Sequence, residues 1–70
     1  MSKITIRYIA HGWHNGVRWQ SPASLLTHVV DAQRWYGLDN KERDRVLERA
    51  TLMQYPEVDR IDEIIIMEIR

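Results

Sequence analysis

The chain contains no cysteine, and only two prolines and three glycines stand among its 70 residues. Without cysteine, neither a disulfide framework nor a thiolate metal site can stabilise the fold. A chain of this length buries only about 60% of the surface that its unfolded state exposes and is marginally stable alone. The sequence therefore predicts a single domain, residues 1–70, whose stability depends on apolar burial. A second copy of the chain could contribute further burial.

The chain also lacks an excess of charge of either sign, because ten Lys and Arg residues balance ten Asp and Glu residues. This balance excludes the global positive field that drives non-specific nucleic-acid binding. The balance conceals a gradient, since basic side chains prevail in residues 1–38 and acidic side chains in residues 56–70. We therefore expect the first and last strands to pair, with their opposite charges facing each other.

Long apolar runs are absent as well. The longest unbroken aliphatic run, residues 64–67, has four residues, whereas a membrane span requires about 20. The first residues also lack the basic-then-apolar pattern of an export signal. The sequence therefore predicts a cytoplasmic protein with no membrane partner.

The first 20 residues predict a β-hairpin. Residues 3–10 alternate between apolar and more polar side chains with the period of two that is typical of a strand. The stretch from His11 to Gly16 should break this strand, because Asn15-Gly16 is a strong turn signal. Residues 17–20 can then return as a short second strand.

Ser21 and Pro22 predict the start of a first helix. A serine oxygen can accept hydrogen bonds from the free amides of a first helical turn, and proline loses nothing at the first helical position. We expect this helix to cover residues 22–36 and to end at Gly37 in the left-handed conformation.

Asp39 and Glu42 form a capping-box pattern for a second helix that reaches roughly residue 53. Its residues 39–49 alternate in charge sign, which favours a solvated surface laced with ion pairs. From about residue 59 the chain becomes extended, and residues 63–70 are rich in β-branched isoleucine. The element order predicts an α+β fold, β-β-α-α-β, with a three-stranded sheet and both helices packed on one face.

The last strand has apolar side chains on both of its sides. If residues 65, 67 and 69 point inward, Ile64 and Ile66 point to the opposite face together with Ile9. Two helices cover only one face of a small sheet, so this patch is tolerated, shielded by a connection, or buried by a partner. At about 25 cal/mol per Å², burial of three isoleucines contributes several kcal/mol.

Two tryptophans are candidate anchors for a partner, since indoles are enriched at interface hot spots. Trp13 lies at the hairpin, and a helical wheel places Trp35 opposite the apolar stripe of the first helix, although it could pack on the following chain instead. We interpret the chain as a small non-catalytic accessory, inhibitory or regulatory domain. It would bind a protein partner or form a homodimer through Ile9, Trp13, Trp35, Ile64 and Ile66.

Nucleic-acid binding is the alternative interpretation. The hairpin combines basic and aromatic residues, and nucleic-acid binders use such mixtures for phosphate contact and base stacking. The residues concerned are Arg7, Trp13, Arg18 and Trp19. Two arginines give only a thin electrostatic footprint, so we place this function second.

Two polar groupings resemble chemical sites only superficially. Ser24, His28 and Asp31 would share one helix face, but an open helix face holds neither an oxyanion hole nor a dry pocket. His11 and His14 could ligate a metal, but a stable zinc site needs three or four ligands. No phosphate loop or nucleophile elbow is present. The sequence therefore predicts no enzyme, no cofactor and no metal site.

Overall fold

The computed structural model describes residues 2–22 and 24–70. These residues form, in order, β1 (Lys3–His14), β2 (Val17–Gln20), β3 (Leu26–Asp31), α1 (Ala32–Tyr36), α2 (Asn40–Gln54) and β4 (Arg60–Ile69). The predicted α+β class is confirmed, but the predicted three strands are wrong, because a further strand precedes the helices. No helix in the described ranges is both long and apolar enough to cross a membrane.

β1 organises the sheet, because β2, β3 and β4 all pair with it in antiparallel fashion. β4 lies along one edge of β1, opposite residues 6–13. β3 and β2 share the other edge, where β3 pairs with residues 3–8 and β2 with residues 11–14. The sheet is therefore three strands wide, and the predicted pairing of the basic first strand with the acidic last strand is confirmed.

The predicted hairpin is confirmed at Asn15-Gly16. Both residues have positive φ, 51° and 76°, and His14 pairs with Val17, which gives the two-residue turn typical of tight hairpins. The expected break before this turn is wrong, because β1 continues through Gly12 to His14. Gly12 pairs with Ile61 of β4, and the carbonyl oxygen of Arg60 occupies the space where a Cβ atom would lie.

The predicted first helix is wrong before residue 32. Residues 26–31 are a strand instead, which suits their β-branched Thr27, Val29 and Val30. The helix begins only at Ala32, where the Asp31 carboxylate accepts a hydrogen bond of 2.9 Å from the amide of Arg34. Local capping by Asp31 thus replaces the capping expected further upstream, and Ala23, which falls inside the predicted helix, lies outside the described residues.

Ser21 serves the sheet rather than a helix. Its amide donates to the carbonyl of Ala10 at 2.9 Å, and its Oγ accepts from the amide of Ala10 at 3.0 Å. Ser21 therefore satisfies the β1 backbone in the interval between β2 and β3. At the other end of the predicted helix, Gly37 has φ −82°, so the expected left-handed conformation is also wrong.

The second helix follows its predicted capping box. Asp39 Oδ1 accepts from the amide of Glu42 at 2.8 Å, and Glu42 Oε1 accepts from the amide of Asp39 at 3.1 Å. The expected ion-pair lacing is wrong, however, because the ion pairs of the described residues all lie elsewhere. Arg43 of α2, for example, donates to the carbonyl of Trp35 at 3.1 Å instead of pairing with a carboxylate.

The core lies between the helices and one side of the sheet, which we call the inner face. The Tyr8 hydroxyl is hydrogen-bonded to Thr51 Oγ1 on α2 at 2.9 Å, and Thr51 Oγ1 donates to the carbonyl of Leu47 at 2.7 Å. Burial raises the pKa of Tyr8. The buried apolar side chains are Ile6, Tyr8, Ala10, Leu26, Trp35, Leu47, Val58 and Ile61.

Two β-bulges in the β1–β4 pair decide which β4 side chains face the helices. Directly paired residues share a face, so the partners of inner-face Tyr8 and Ala10 are also inner-face residues. These partners are Ile66 and Ile64. The predicted outward orientation of Ile64 and Ile66 is therefore wrong, because each bulge inserts one residue and changes the phase of the alternation.

Candidate interaction surface

The outer face is the side of the sheet opposite both helices. At its centre Ile9 of β1 pairs directly with Ile65 of β4. Ile65 remains 39% exposed and the neighbouring Met67 55% exposed. Ile9 therefore lies on the face that the sequence predicted, but Ile65 takes the place of Ile64 and Ile66 beside it.

Ile64 and Ile66 differ in their burial on the inner face. Ile64 is half-buried and packs against the core cluster. Ile66 keeps 38% of its surface exposed, but it lies on the helix side of the sheet. The structure thus does not bring these two residues together with Ile9.

Charged and polar side chains surround the apolar centre and contact one another in pairs. Arg18 Nη1 lies 2.6 Å from Asp62 Oδ2, and His11 Nδ1 lies 2.7 Å from Glu63 Oε1. Glu68 lies between two arginines, Arg7 at 3.9 Å and Arg70 in close contact. Exposed pairs of this kind add little stability, but they leave the outer face without a strong charge of either sign.

Trp13 is held in place at one end of the outer face. Its Nε1 donates to Asp62 Oδ2 at 2.8 Å, and the guanidinium groups of Arg18 and Arg60 lie 5.1 Å and 5.7 Å from its ring centroid. Such cation–π contacts are worth about 0.5–1 kcal/mol each at exposed sites. The hydrogen bonds from Arg18 and Trp13 hold the pKa of Asp62 below its usual value. Trp13 is therefore a half-buried, preorganised aromatic group beside the apolar centre.

The other two tryptophans belong to the core side. Trp35 is fully buried, so the prediction that it is an exposed anchor is wrong. The helical wheel failed because α1 begins only at Ala32, and the Arg43 guanidinium then covers the indole at 5.5 Å from the ring centroid. Trp19 packs against Tyr55, with ring centroids 5.3 Å apart. The nucleic-acid alternative therefore loses Trp19 from its proposed surface, which keeps Arg7, Trp13 and Arg18.

The structure separates the members of the two polar groupings. His11 contacts Glu63 on the outer face, whereas His14, three residues further along β1, donates to the carbonyl of Glu57 at 2.6 Å on the opposite side. In residues 2–22 and 24–70 no three metal-ligating side chains of His, Cys, Asp or Glu come together. Ser24 lies outside the helices, and Asp31 caps α1, so the expected polar helix face does not exist.

Sequence reasoning missed Asp62 and Met67, which are the inserted residues of the two bulges. The sequence contains a signal for these bulges. The inner-face isoleucines 61, 64, 66 and 69 are separated by three, two and three residues, whereas a regular strand would separate them by two. Each interval of three contains an acidic residue, Glu63 or Glu68, beside the inserted residue. No protein-family model, curated protein sequence or solved structure matches this chain.

Proposed function

We propose that this chain is a small non-catalytic protein-interaction domain that dimerises by packing the outer face of its sheet against the same face of a second copy. The observation that supports this proposal is the Ile9–Ile65 pair at the centre of that face. Both helices contribute to the core on the inner face, so in a single chain these isoleucines stay in contact with water. Burial in a sheet-on-sheet interface removes them from water.

The charge pattern favours a second copy over a strongly charged partner. Arg7, Arg18 and His11 each contact a carboxylate of β4 within the same chain. Because these charges are balanced within the face, it has no strong electrostatic field that an oppositely charged partner would complement. It can pack against an identical face around a two-fold axis without strong like-charge repulsion.

The shape of the chain supports the same proposal. Its radius of gyration is 12.2 Å, against about 11 Å for a compact domain of this length. Its accessible surface is 4984 Å², against about 4,600 Å² for a typical monomer of this mass. A sheet face up to about 40 Å long and about 15 Å wide has an area of at most about 600 Å², about three quarters of the roughly 800 Å² that each partner contributes to a standard interface. The single chain thus has surface to bury and a face large enough for a small interface.

The same observations weigh against nucleic-acid binding. Arg7 and Arg18 are engaged by Glu68 and Asp62, so phosphate contacts would first have to break these pairs. Trp19 lies on the inner face with Tyr55 and is not available beside Trp13 for base stacking. We therefore favour a protein partner.

Sedimentation velocity at increasing protein concentration tests the proposal. We expect the wild-type chain to reach twice the 8.4 kDa of one chain. The variant Ile65→Glu places a charge at the centre of the interface and should remain monomeric. The matched control Val17→Glu changes a side chain that is 66% exposed and paired with inner-face His14, so it should dimerise like the wild type.

Circular dichroism of both variants separates loss of folding from loss of association. A wild-type chain that stays monomeric at millimolar concentration would contradict the proposal. Equal dimerisation of Ile65→Glu and wild type would place the interface elsewhere and would also contradict it. Salt-sensitive binding of a labelled single-stranded oligonucleotide that competes with self-association would favour the nucleic-acid alternative instead.

A further inference from the structure

A groove lies between β3 and α2, on the helix side of the sheet and away from the outer face. Its cavity has a volume of about 400 Å³. Apolar side chains from the helix region form much of its lining, and Met53 among them is 79% exposed. We call this cavity the β3–α2 groove. Its lining includes His28, Leu38, Val46, Ala50 and Met53, with Arg45 and Arg49 at the rim.

β3 forms one wall of this groove and has an unpaired edge. In the described sheet β3 pairs only with β1. The amide of Ala32 donates to the carbonyl of Ser2 at 2.9 Å, and bonded positions alternate along an antiparallel pair. It follows that residues 26, 28 and 30 bond to β1, whereas Thr27 and Val29 direct their N–H and C=O groups away from the sheet. Both residues are exposed.

We propose that an extended peptide segment of another protein binds in the β3–α2 groove as an added strand. Its backbone would pair with Thr27 and Val29, which is the geometry of β-strand addition. Side chains alternate across a strand, so every second side chain of the peptide would point to the helix side. These side chains would enter the apolar cavity beside Val46, Ala50 and Met53.

The charges at the rim specify the character of the peptide. Arg45 and Arg49 lie one helical turn apart on the groove side of α2. Within the described residues neither arginine takes part in an ion pair, and Glu42 is the single carboxylate of the lining. The rim therefore carries a local positive excess in a chain of zero net charge. An apolar peptide with flanking carboxylates complements it.

Synthetic peptides test both parts of this proposal. The probe is a fluorescein-labelled peptide of alternating leucine and threonine with glutamates at its carboxyl end, and the matched control carries lysines instead of the glutamates. In fluorescence anisotropy we expect saturable binding of the acidic peptide and binding of the lysine peptide that is about tenfold weaker. Absence of saturable binding of the acidic peptide would overturn the proposal.

Backbone methylation distinguishes strand addition from simple apolar contact. Two further acidic peptides carry N-methyl groups on alternate residues, the first on the odd residues and the second on the even residues. In one of these peptides the methyl groups replace the N–H groups that face β3, and this peptide should not bind. The other peptide should keep its affinity within about twofold. Equal binding of both methylated peptides would contradict an added strand.

Variants of the protein locate the site. Thr27→Pro removes an amide on the free edge of β3, where proline is tolerated best, and should abolish binding. Met53→Glu, an exposed substitution with little structural cost, should weaken the acidic peptide by repulsion. The double variant Arg45→Ala with Arg49→Ala should reduce binding of the acidic peptide to the level of the lysine peptide, while the control Lys41→Ala changes nothing. Unchanged binding by both Met53→Glu and the double arginine variant would place the peptide elsewhere.

This inference does not depend on dimerisation, because the groove and the outer face lie on opposite sides of the sheet. The monomeric Ile65→Glu variant should bind the acidic peptide with wild-type affinity. Conversely, Met53→Glu should leave the sedimentation of the chain unchanged. Failure of either proposal is therefore recognised separately from failure of the other.

Discussion

The Tyr8 hydroxyl is the donor in its 2.9 Å hydrogen bond to Thr51 Oγ1. The Thr51 hydroxyl uses its single proton to donate to the carbonyl of Leu47, so its oxygen accepts from Tyr8. Both side chains are buried. This bond joins the central strand to the longer helix at the middle of the core.

We expect Tyr8→Phe to lower the free energy of unfolding by about 1–2 kcal/mol, because a buried oxygen loses a hydrogen bond that water cannot replace. Urea denaturation followed by circular dichroism measures the change. The control Tyr36→Phe alters an exposed side chain and should stay within about 0.5 kcal/mol of the wild type. Equal stability of Tyr8→Phe and wild type would contradict the assigned bond.

The raised pKa of Tyr8 makes stability sensitive to alkaline pH. Burial of the phenol disfavours its ionised form, so the folded-state pKa lies above the ordinary value of 10.0. The folded state then holds a proton that the unfolded state releases. Stability is complete below that ordinary value and declines as the pH rises above it. Denaturation at a series of alkaline pH values should show this decline in the wild type and a smaller decline in Tyr8→Phe.

Gly12 is the position in β1 where a side chain cannot be added. A Cβ atom there collides with the carbonyl of Arg60 on the neighbouring strand, and backbone cannot move aside as a flexible side chain can. We expect Gly12→Ala to destabilise the fold by roughly 1–3 kcal/mol. Gly37→Ala is the matched control, since its φ of −82° suits alanine and the nearest atoms lie 3.4 Å and 3.5 Å from the added carbon. Comparison of thermal unfolding of the two variants tests the difference.

Local sequence signals predicted the features of this fold that depend on neighbouring residues. Asn15-Gly16 and the Asp39–Glu42 box specify their turn and cap through their own backbone and side-chain chemistry, and the structure confirms both. The opposite charges of the first and last strands predicted their pairing, which Arg7 and Glu68 illustrate.

Features that depend on contacts between residues distant in the sequence were not predicted. The apolar pattern of residues 26–31 fits either a helix or a strand. The strand forms because these residues pair with the edge of β1 that β4 does not occupy. The bulges in β4 arise from its pairing with β1, so a strict alternation assigned Ile64, Ile65 and Ile66 to the wrong faces. The sequence therefore predicted an apolar outer face with Ile9, but it placed Ile64 and Ile66 there where the structure has Ile65.

Asp62 should titrate below its ordinary pKa of 3.8, because Arg18 and Trp13 donate hydrogen bonds to its carboxylate. The group is depressed in the folded state, so its contribution to stability is present above the ordinary value and disappears as the pH falls. Carbon-13 NMR of the carboxyl group measures the titration, and the Trp13 indole proton should follow the same curve. Arg18→Gln should move the titration upward, whereas Arg45→Gln, on the other side of the sheet, should leave it unchanged.

Ser21→Ala distinguishes the observed role of Ser21 from the predicted helix cap. In the structure Ser21 is buried, and its hydroxyl oxygen accepts from the amide of Ala10 in the central strand. The variant leaves this buried amide without a partner, so we expect a loss of about 1–3 kcal/mol in the free energy of unfolding. Hydrogen exchange locates the effect: the Ala10 amide should exchange faster relative to other β1 amides. The amide of Ser24, which a helix cap at Ser21 would have protected, should not change. The reverse pattern would indicate that Ser21 caps a helix and would contradict the assignment of residues 26–31 to β3.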